Sequence, residues 1–248
     1  MNRIRFMRRG NIEIVIGTGS HHFPRQTHES YIFGILLSGT EILCIGEKSF
    51  EMQPGWCYVL PSDTPLEVLP QGEICYLSVC LKQHLAQALR QYEPDCYITA
   101  KGGDRLLYAV QGIWRGQLEE QALLQELSSL FSFHRRKTGA AEETISRAVR
   151  YLKEHADTKY QLEELSREVN LSKYYLTRVF KKAMGITPKQ YHQQCRLRLI
   201  KSRAMRRSQS ELAYEMDFSS QSHMESVFLE NMGISLGQYI ASIREEPQ

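Results

Sequence analysis

The sequence predicts a mixed two-domain protein, with an N-terminal all-β barrel that carries a helical hairpin and a C-terminal all-α half. Three observations predict it. Short β-branched and aromatic runs alternate with Gly and Pro over the first 100 residues. Apolar residues with helical periodicity follow, and the remaining chain contains one supersecondary unit twice. The expected ranges are a barrel over 1–100, a hairpin over 101–137 with a linker to about 141, and the duplicated region over 142–248.

Seven strand-like runs define the predicted barrel, at 12–16, 31–37, 41–45, 48–52, 56–60, 66–69 and 74–80. Gly or Pro follows most of them, as turns require. A barrel of this size can hold a small organic ligand in its interior. Five aromatic residues on these runs are candidates for the ligand pocket, although an ordinary core position suits each of them equally well: Tyr31, Phe33, Trp56, Tyr58 and Tyr76.

The histidines and cysteines do not predict a metal centre, a cofactor or a catalytic site. His21, His22 and His28 precede or open the first hairpin, and no His lies between Glu29 and Gln83. The six cysteines form no C-x-x-C pair, which suits reduced thiols in the cytoplasm. No apolar run is long enough to span a bilayer and no signal-peptide pattern opens the chain, so we expect no membrane partner.

Two amphipathic helices joined near Gly116 are predicted between about 104 and 137. Their apolar stripe must be covered, either by the barrel of the same chain or by the hairpin of a second copy. The residues from His134 to Gly139 are polar and basic, and are expected to form an exposed linker.

The C-terminal half repeats itself at an offset of 47 to 48 residues. The run 164–172 matches 211–219, and the run 180–191 matches 228–239. In each copy a short helix reaches a tight turn at Asn170 or Asp217, where a residue that tolerates positive φ is favoured. A second helix begins after Ser172, or after Ser219 or Ser220, and ends at a glycine. Such a pair of helices is a helix-turn-helix, whose second helix can enter the major groove of DNA.

The run from Val169 to Ser210 contains eleven Lys and Arg but no Asp or Glu. The other parts of the chain carry 20 Lys and Arg against all 28 Asp and Glu, so they are net acidic. An acid-free basic run across paired helix-turn-helix units is typical of a surface that meets phosphates. A basic helix face that is merely solvated is the plainer alternative.

These residues resemble the AraC/XylS family of bacterial transcription regulators over about 145–243. The resemblance implies a cupin-like sensor barrel with an effector pocket, dimerisation through the hairpin, and two recognition helices in successive major-groove turns of double-stranded DNA. It also implies contact with RNA polymerase, and members of the family activate more often than they repress. The matching residues include Leu165, Leu171, Leu176, Arg178, Phe180, Gly185, Pro188, Tyr191, Phe218, Gln221, Phe228, Gly233 and Tyr239.

The family pattern places DNA contacts on the exposed face of each recognition helix. Arg178 is the best candidate for a bidentate guanine contact or a phosphate clamp. The second unit departs from the pattern, with Glu225, Leu229 and Glu230 where small or basic residues are usual, so we expect the first unit to supply most of the affinity. The candidates are Lys173, Tyr174, Thr177, Arg178, Lys181 and Lys182 in the first unit and Gln221, Ser222 and His223 in the second.

The leading hypothesis is therefore a sequence-specific DNA-binding transcription regulator, not an enzyme, that responds to a small-molecule effector. One alternative is a cupin metalloenzyme fused to a DNA-binding tail. Another is a regulator that acts mainly through a protein partner, because its second unit lacks the usual basic residues.

Overall fold

The computed structural model describes residues 2–89, 91–135 and 140–244. Its N-terminal part is built of strands and its C-terminal part of helices, which confirms the predicted fold class. The strands are β1 Arg3–Arg9, β2 Ile12–Gly19, β3 Phe23–Gln26, β4 Tyr31–Ser38, β5 Glu41–Ile45, β6 Lys48–Met52, β7 Cys57–Leu60, β8 Leu66–Pro70, β9 Ile74–Leu81, β10 Tyr92–Pro94, β11 Ile98–Thr99 and β12 Phe133–Arg135. The helices are α1 Gln83–Leu89, α2 Gly103–Trp114, α3 Glu120–Ser128, α4 Ala140–Glu154, α5 Leu162–Glu168, α6 Lys173–Met184, α7 Pro188–Arg203, α8 Gln209–Glu215, α9 Gln221–Met232 and α10 Leu236–Arg244.

Two antiparallel sheets form the barrel. One has the strand order β1-β2-β9-β4-β7-β11, and the other has the order β3-β8-β5-β6. Because side chains alternate along a strand, β4 sends Ile32 and Leu36 into the space between the sheets and Tyr31 and Phe33 to the outer face. The barrel therefore has an inner core between its sheets and an outer core against its helices.

The hairpin of α2 and α3 covers the outer face of the larger sheet. Leu106, Ile113 and Leu127 pack in one cluster with the outward residues of β4. The apolar stripe of the hairpin thus packs against the barrel of the same chain, which is one of the two arrangements that the sequence allows. Part of the expected linker is structured. His134 and Arg135 are exposed, as expected, but they lie in β12, which pairs with β10. The rest of that linker, 136–139, lies outside the described residues.

The duplicated units form as the sequence predicts. The turn residues Asn170 and Asp217 have φ values of 55° and 52°. The side chains of Ser172 and Ser220 cap α6 and α9, and Thr187 forms a capping box at the start of α7. Helix α7 joins the units, while α1 and α4 are additions to the predicted elements.

The second unit shares its hydrophobic core with the barrel. Ile4 and Phe6 of β1 lie in one buried cluster with Ile200 of α7 and Tyr239 of α10. The Phe6 and Tyr239 rings meet edge to face, with centroids 5.0 Å apart. A continuous core across the boundary holds the two halves together. No helix within the described ranges is long and apolar enough to cross a membrane.

Candidate nucleic-acid interface and effector cavity

The recognition helix of the first unit, α6, buries one face and exposes the other. Leu176 and Phe180 are fully buried in the core of the unit. On the opposite face Tyr174 is 79% exposed and Arg178 is exposed. The Ser172 hydroxyl caps the helix by accepting a hydrogen bond from the Tyr175 N–H.

The exposed side chains of α6 already contact one another or the preceding helix. Lys173 Nζ donates to Glu163 Oε1 of α5 at 2.7 Å, and the Arg178 guanidinium lies 5.6 Å from the Tyr175 ring centroid. Thr177 is half-buried, and its hydroxyl donates to the Lys173 carbonyl of its own helix at 2.8 Å. Tyr175 was missed by sequence reasoning, although its position three residues before Arg178 on one helix face could have indicated it. Lys181 and Lys182 are exposed at the carboxyl end of α6.

The recognition helix of the second unit, α9, presents uncharged polar side chains. Gln221, Ser222 and His223 are all exposed. Gln221 Nε2 donates to Gln209 Oε1 at 2.8 Å, and the His223 ring lies 2.9 Å from the Ser219 hydroxyl. No Lys or Arg occurs in this helix.

Glu225 contacts the start of α10 and does not project from the exposed face of α9. Its Oε2 accepts a hydrogen bond from the Leu236 N–H at 3.3 Å, and the side chain is half-buried. Glu225 therefore satisfies a free N–H at the start of α10. Glu230, by contrast, is exposed, and its carbonyl oxygen lies 3.0 Å from His21 Nε2 of the barrel.

The basic run also divides between two surfaces, so its interpretation as one phosphate-facing surface is wrong for part of α7. Arg196 donates to the Thr158 carbonyl at 3.1 Å and lies 3.5 Å from Asp217. Arg198 donates to the hydroxyl of Thr27 in the barrel at 2.8 Å. Arg198 and Lys201 therefore face the barrel, whereas Arg196 is held within the C-terminal half.

A cavity of about 570 Å³ lies between the barrel sheets and α7. Its middle is apolar, and one side is formed by polar residues of both halves. Tyr58 and Tyr76 line it, as the sequence suggests, whereas Tyr31 and Phe33 lie on the outer face of β4 and Trp56 lies outside the lining. The apolar lining includes Ile32, Leu43, Leu60, Leu66 and Val68.

A buried carboxylate with three cations forms the polar side of the cavity. Glu13 Oε2 lies 2.7 Å from both Arg8 Nε and Lys82 Nζ, and Glu13 Oε1 lies 3.7 Å from Lys201 Nζ. Burial alone would raise the pKa of Glu13, but Lys201, Lys82 and Arg8 outweigh it and hold that pKa well below its ordinary value. The cluster therefore carries an excess of positive charge. Burial lowers the pKa of Lys201 against the opposing effect of Glu13.

Direct hydrogen bonds also tie the cavity wall to the first unit. The Gln194 Oε1 of α7 accepts from the Thr27 N–H at 3.0 Å. On the turn between β7 and β8, the Asp63 carboxylate accepts from Tyr191 Oη and Lys153 Nζ, both at 2.7 Å. Asp63 has a φ of 64°, a left-handed conformation that aspartate tolerates better than most residues other than glycine. Thus the barrel holds both the joining helix and α4.

Within the described residues no group of three or more His, Cys, Asp or Glu side chains is arranged to hold a metal ion. His22 lies 3.0 Å from Glu67, and His28 is half-buried beside Arg198. Burial, followed by the charge of Arg198, lowers the pKa of His28 to about 3. His28 is thus neutral at physiological pH.

Comparisons with solved structures agree with this architecture. The structure of ToxT from Vibrio cholerae O395 superimposes with a TM-score of 0.66 at 12% identity, over 99% of this chain and 98% of that one. Unsaturated fatty acid-bound ToxT from strain SCE256 gives a TM-score of 0.64 at 13% identity, over 97% of this chain and 100% of that one. At these identities the likeness shows the fold.

Comparisons of sequence identify the family. An uncharacterised HTH-type transcriptional regulator of Bacillus subtilis, YbfI, is 25% identical over 233 residues, which cover 82% of this chain and 81% of that regulator. A helix-turn-helix domain model matches residues 165–242, and an AraC-like ligand binding domain model matches residues 13–149, more than half of the chain. The chain therefore belongs to the AraC family of transcription regulators, with a ligand-binding domain joined to a helix-turn-helix DNA-binding domain.

Proposed function

We propose that this regulator binds a specific double-stranded DNA site mainly through α6, and that an organic acid in the cavity controls this binding. The observation that carries the DNA part is the open face of α6, where Tyr174 and Arg178 project from a helix whose other side is fully packed. An exposed side chain on such a helix can enter a major groove while the helix-turn-helix unit stays folded.

Charge favours the first unit as the stronger DNA reader. Lys181 and Lys182 follow Arg178 on α6, whereas the corresponding positions of α9 are Leu229 and Glu230. Phosphate contacts supply much of the affinity of DNA-binding proteins. We infer that Gln221, Ser222 and His223 add base preference to a complex that α6 anchors.

Binding of the full chain to its operator DNA, measured by fluorescence anisotropy at several salt concentrations, tests this proposal. Arg178→Ala should weaken binding by about 1–3 kcal/mol if Arg178 reads a base. Lys48→Ala removes one exposed charge from a hairpin of the barrel and serves as the control. Equal affinity of the wild type and Arg178→Ala would remove Arg178 from the interface.

The effector part of the proposal rests on the polar side of the cavity. Arg8 and Lys82 come from the barrel and Lys201 comes from α7, so an anion bound there would contact both halves at once. The apolar middle of the cavity suits a hydrocarbon body. ToxT structures hold an unsaturated fatty acid and a naphthalenyl butenoic acid, both of them organic acids, in the same fold.

An effector at Lys201 has a direct route to DNA binding, since α7 joins the two units. Decanoate, measured by isothermal titration calorimetry, is a suitable first ligand. Lys201→Met should weaken its binding by about tenfold or more, because one charge-assisted contact is lost. Unchanged affinity would exclude Lys201 from the anion site.

We also infer that the protein forms a homodimer through the outer face of the hairpin, where Tyr108 of α2 is 77% exposed. The measurement is the solution mass of the wild type and of Tyr108→Glu. A wild type that is monomeric at micromolar concentration would contradict the dimer.

Family membership supports a cytoplasmic site of action and contact with RNA polymerase.

A further inference from the structure

A second acidic residue, Glu41, faces the same cavity. It is the first residue of β5 and pairs across the sheet with Met52 and Pro70. Only 2% of the residue is exposed, and it is part of the cavity lining. The backbone register of β5 therefore places a carboxyl group inside the barrel, on an otherwise apolar strand.

The described residues around Glu41 provide no cation to pair with its carboxyl group, in contrast to those around Glu13. Among the described residues its carboxyl group has no hydrogen-bond or ion-pair partner, while Glu13 is surrounded by Arg8, Lys82 and Lys201. Burial raises the pKa of Glu41 to about 7, and none of those three cations contributes to the shift. The two acidic groups thus occupy separate electrostatic environments in one cavity.

The polar neighbours of Glu41 do not use its acceptor capacity. The Tyr58 hydroxyl and the Ser78 hydroxyl are bonded to each other at 2.7 Å. The charge of Glu41 contributes to the raised pKa values of Tyr58 and Tyr76, so both phenols lie near it, but neither forms a hydrogen bond with it. A carboxyl group that faces a cavity without a hydrogen-bond partner in the described part of the chain is free to receive a donor from a ligand.

We propose that Glu41 receives a hydrogen-bond donor of the effector, and that the effector is therefore an apolar acid with a hydroxyl or ammonium group remote from its carboxylate. The carboxylate lies at the cations around Glu13, the hydrocarbon body crosses the apolar middle, and the donor reaches Glu41. This inference rests on the proposed function, since it takes the cavity as the effector site. It adds a second polar contact that distinguishes such a ligand from a simple fatty acid.

The test compares acids that differ only in the remote donor. The full-length protein is titrated by calorimetry with ω-hydroxy acids and ω-amino acids of six to twelve carbons, and with the unsubstituted acids of the same lengths. One length of donor-bearing acid should bind about three- to tenfold more tightly than its parent. Glu41→Leu should abolish that gain, so that the donor-bearing acid binds this variant no more tightly than its parent does, while Glu51→Leu, on the exposed face of neighbouring β6, should leave the gain unchanged.

Glu41→Gln separates the two donors and guards against a folding defect, because it keeps the size and one acceptor. A hydroxyl ligand should retain most of its gain in this variant, whereas an ammonium ligand should lose it with the carboxylate charge. Thermal unfolding of each variant is measured beside the titrations. If Glu41→Leu fails to fold, Glu41→Gln is compared with the wild-type protein, each titrated with the same series of acids.

The outcomes distinguish this inference from the proposed function. If parent acids bind and no donor-bearing acid binds more tightly at any length, the role of Glu41 is overturned while the acid-binding cavity stands. A gain that survives in Glu41→Leu overturns it as well. If none of the acids binds, both the anionic effector and the role of Glu41 fall, and operator binding remains a separate measurement.

Discussion

The Lys201 ammonium of α7 lies 3.7 Å from the Glu13 carboxylate of β2, and this pair joins the DNA-binding half to the ligand-binding half inside the cavity wall. Lys201 Nζ also lies 4.9 Å from the Phe6 ring centroid and 5.1 Å from that of Tyr239. The ammonium is thus held by one distant carboxylate and two aromatic faces. A group held in this way can shift toward a stronger anionic partner.

We expect Glu13→Gln to destabilise the protein by about 2 kcal/mol, because three partly exposed cations then lie together without the buried carboxylate that pairs with them. The same change should tighten the binding of decanoate, which would then supply the missing negative charge. Urea unfolding and calorimetric titration measure the two effects. Glu51→Gln is the exposed control, and unchanged unfolding in Glu13→Gln would contradict the buried charge cluster.

Glu41 should make the stability depend on pH. Because burial raises its pKa to about 7 from 4.5, the folded chain keeps a proton that the unfolded chain releases between these values. The free energy of unfolding should therefore fall as pH rises from 4.5 to 7, by an amount on the order of 3 kcal/mol. Glu41→Gln should lack this component. The free energy of unfolding of both proteins is measured in urea at pH 5 and pH 8. An equal change between the two pH values in the wild type and in Glu41→Gln would contradict this prediction.

Asp63 connects the barrel to α4 and α7, and its loss should loosen that connection. Asp63→Gly removes both hydrogen bonds of the carboxylate but suits the positive φ, so we expect a loss of about 2 kcal/mol. Asp63→Ala should cost about 1 kcal/mol more, since alanine is strained at a φ of 64°. The difference between the two variants in urea unfolding isolates the backbone contribution. Equal stability of the two variants would show that this contribution is absent.

The two acidic residues of α9 should behave differently when each is removed. Glu225→Ala should lower the thermal stability by about 1 kcal/mol, because the Leu236 N–H loses its acceptor. Glu230→Ala should leave stability unchanged and strengthen operator binding, since an exposed negative charge near phosphates is removed. Thermal unfolding and fluorescence anisotropy measure the pair. Stronger DNA binding by Glu225→Ala alone would reverse the assignment.

Local rules were sufficient for the duplicated units. Asn170 and Asp217 occupy the positive-φ turns, serine caps begin α6 and α9, and glycines end them, because each of these features depends on residues within a few positions of one another. The same is true of Tyr174 and Arg178, whose exposure follows from the periodicity of one helix.

The cavity could not be predicted in this way. Strand periodicity separates Tyr31 and Phe33 from Ile32, but it does not say which face meets the opposite sheet and which meets the helices. Two possibilities therefore stayed open from the sequence for each aromatic residue, a place in the ligand pocket or an ordinary core position. The hairpin provides a second apolar surface, so the largest side chains of β4 lie there.

The linear pattern of the chain alone was enough to establish two helix-turn-helix units, their caps and their outward basic side chains, because helix formation obeys spacing along the chain. Which cations of the acid-free run stay exposed and which face the cavity was decided only by folding. Lys201 and Arg198 belong to the same acid-free run as Arg178, yet they turn toward the barrel because Glu13 and Thr27 lie there, more than 150 residues away in sequence. Electrostatic pairing depends on the distance between charged groups in space, and that distance is set only when the chain folds.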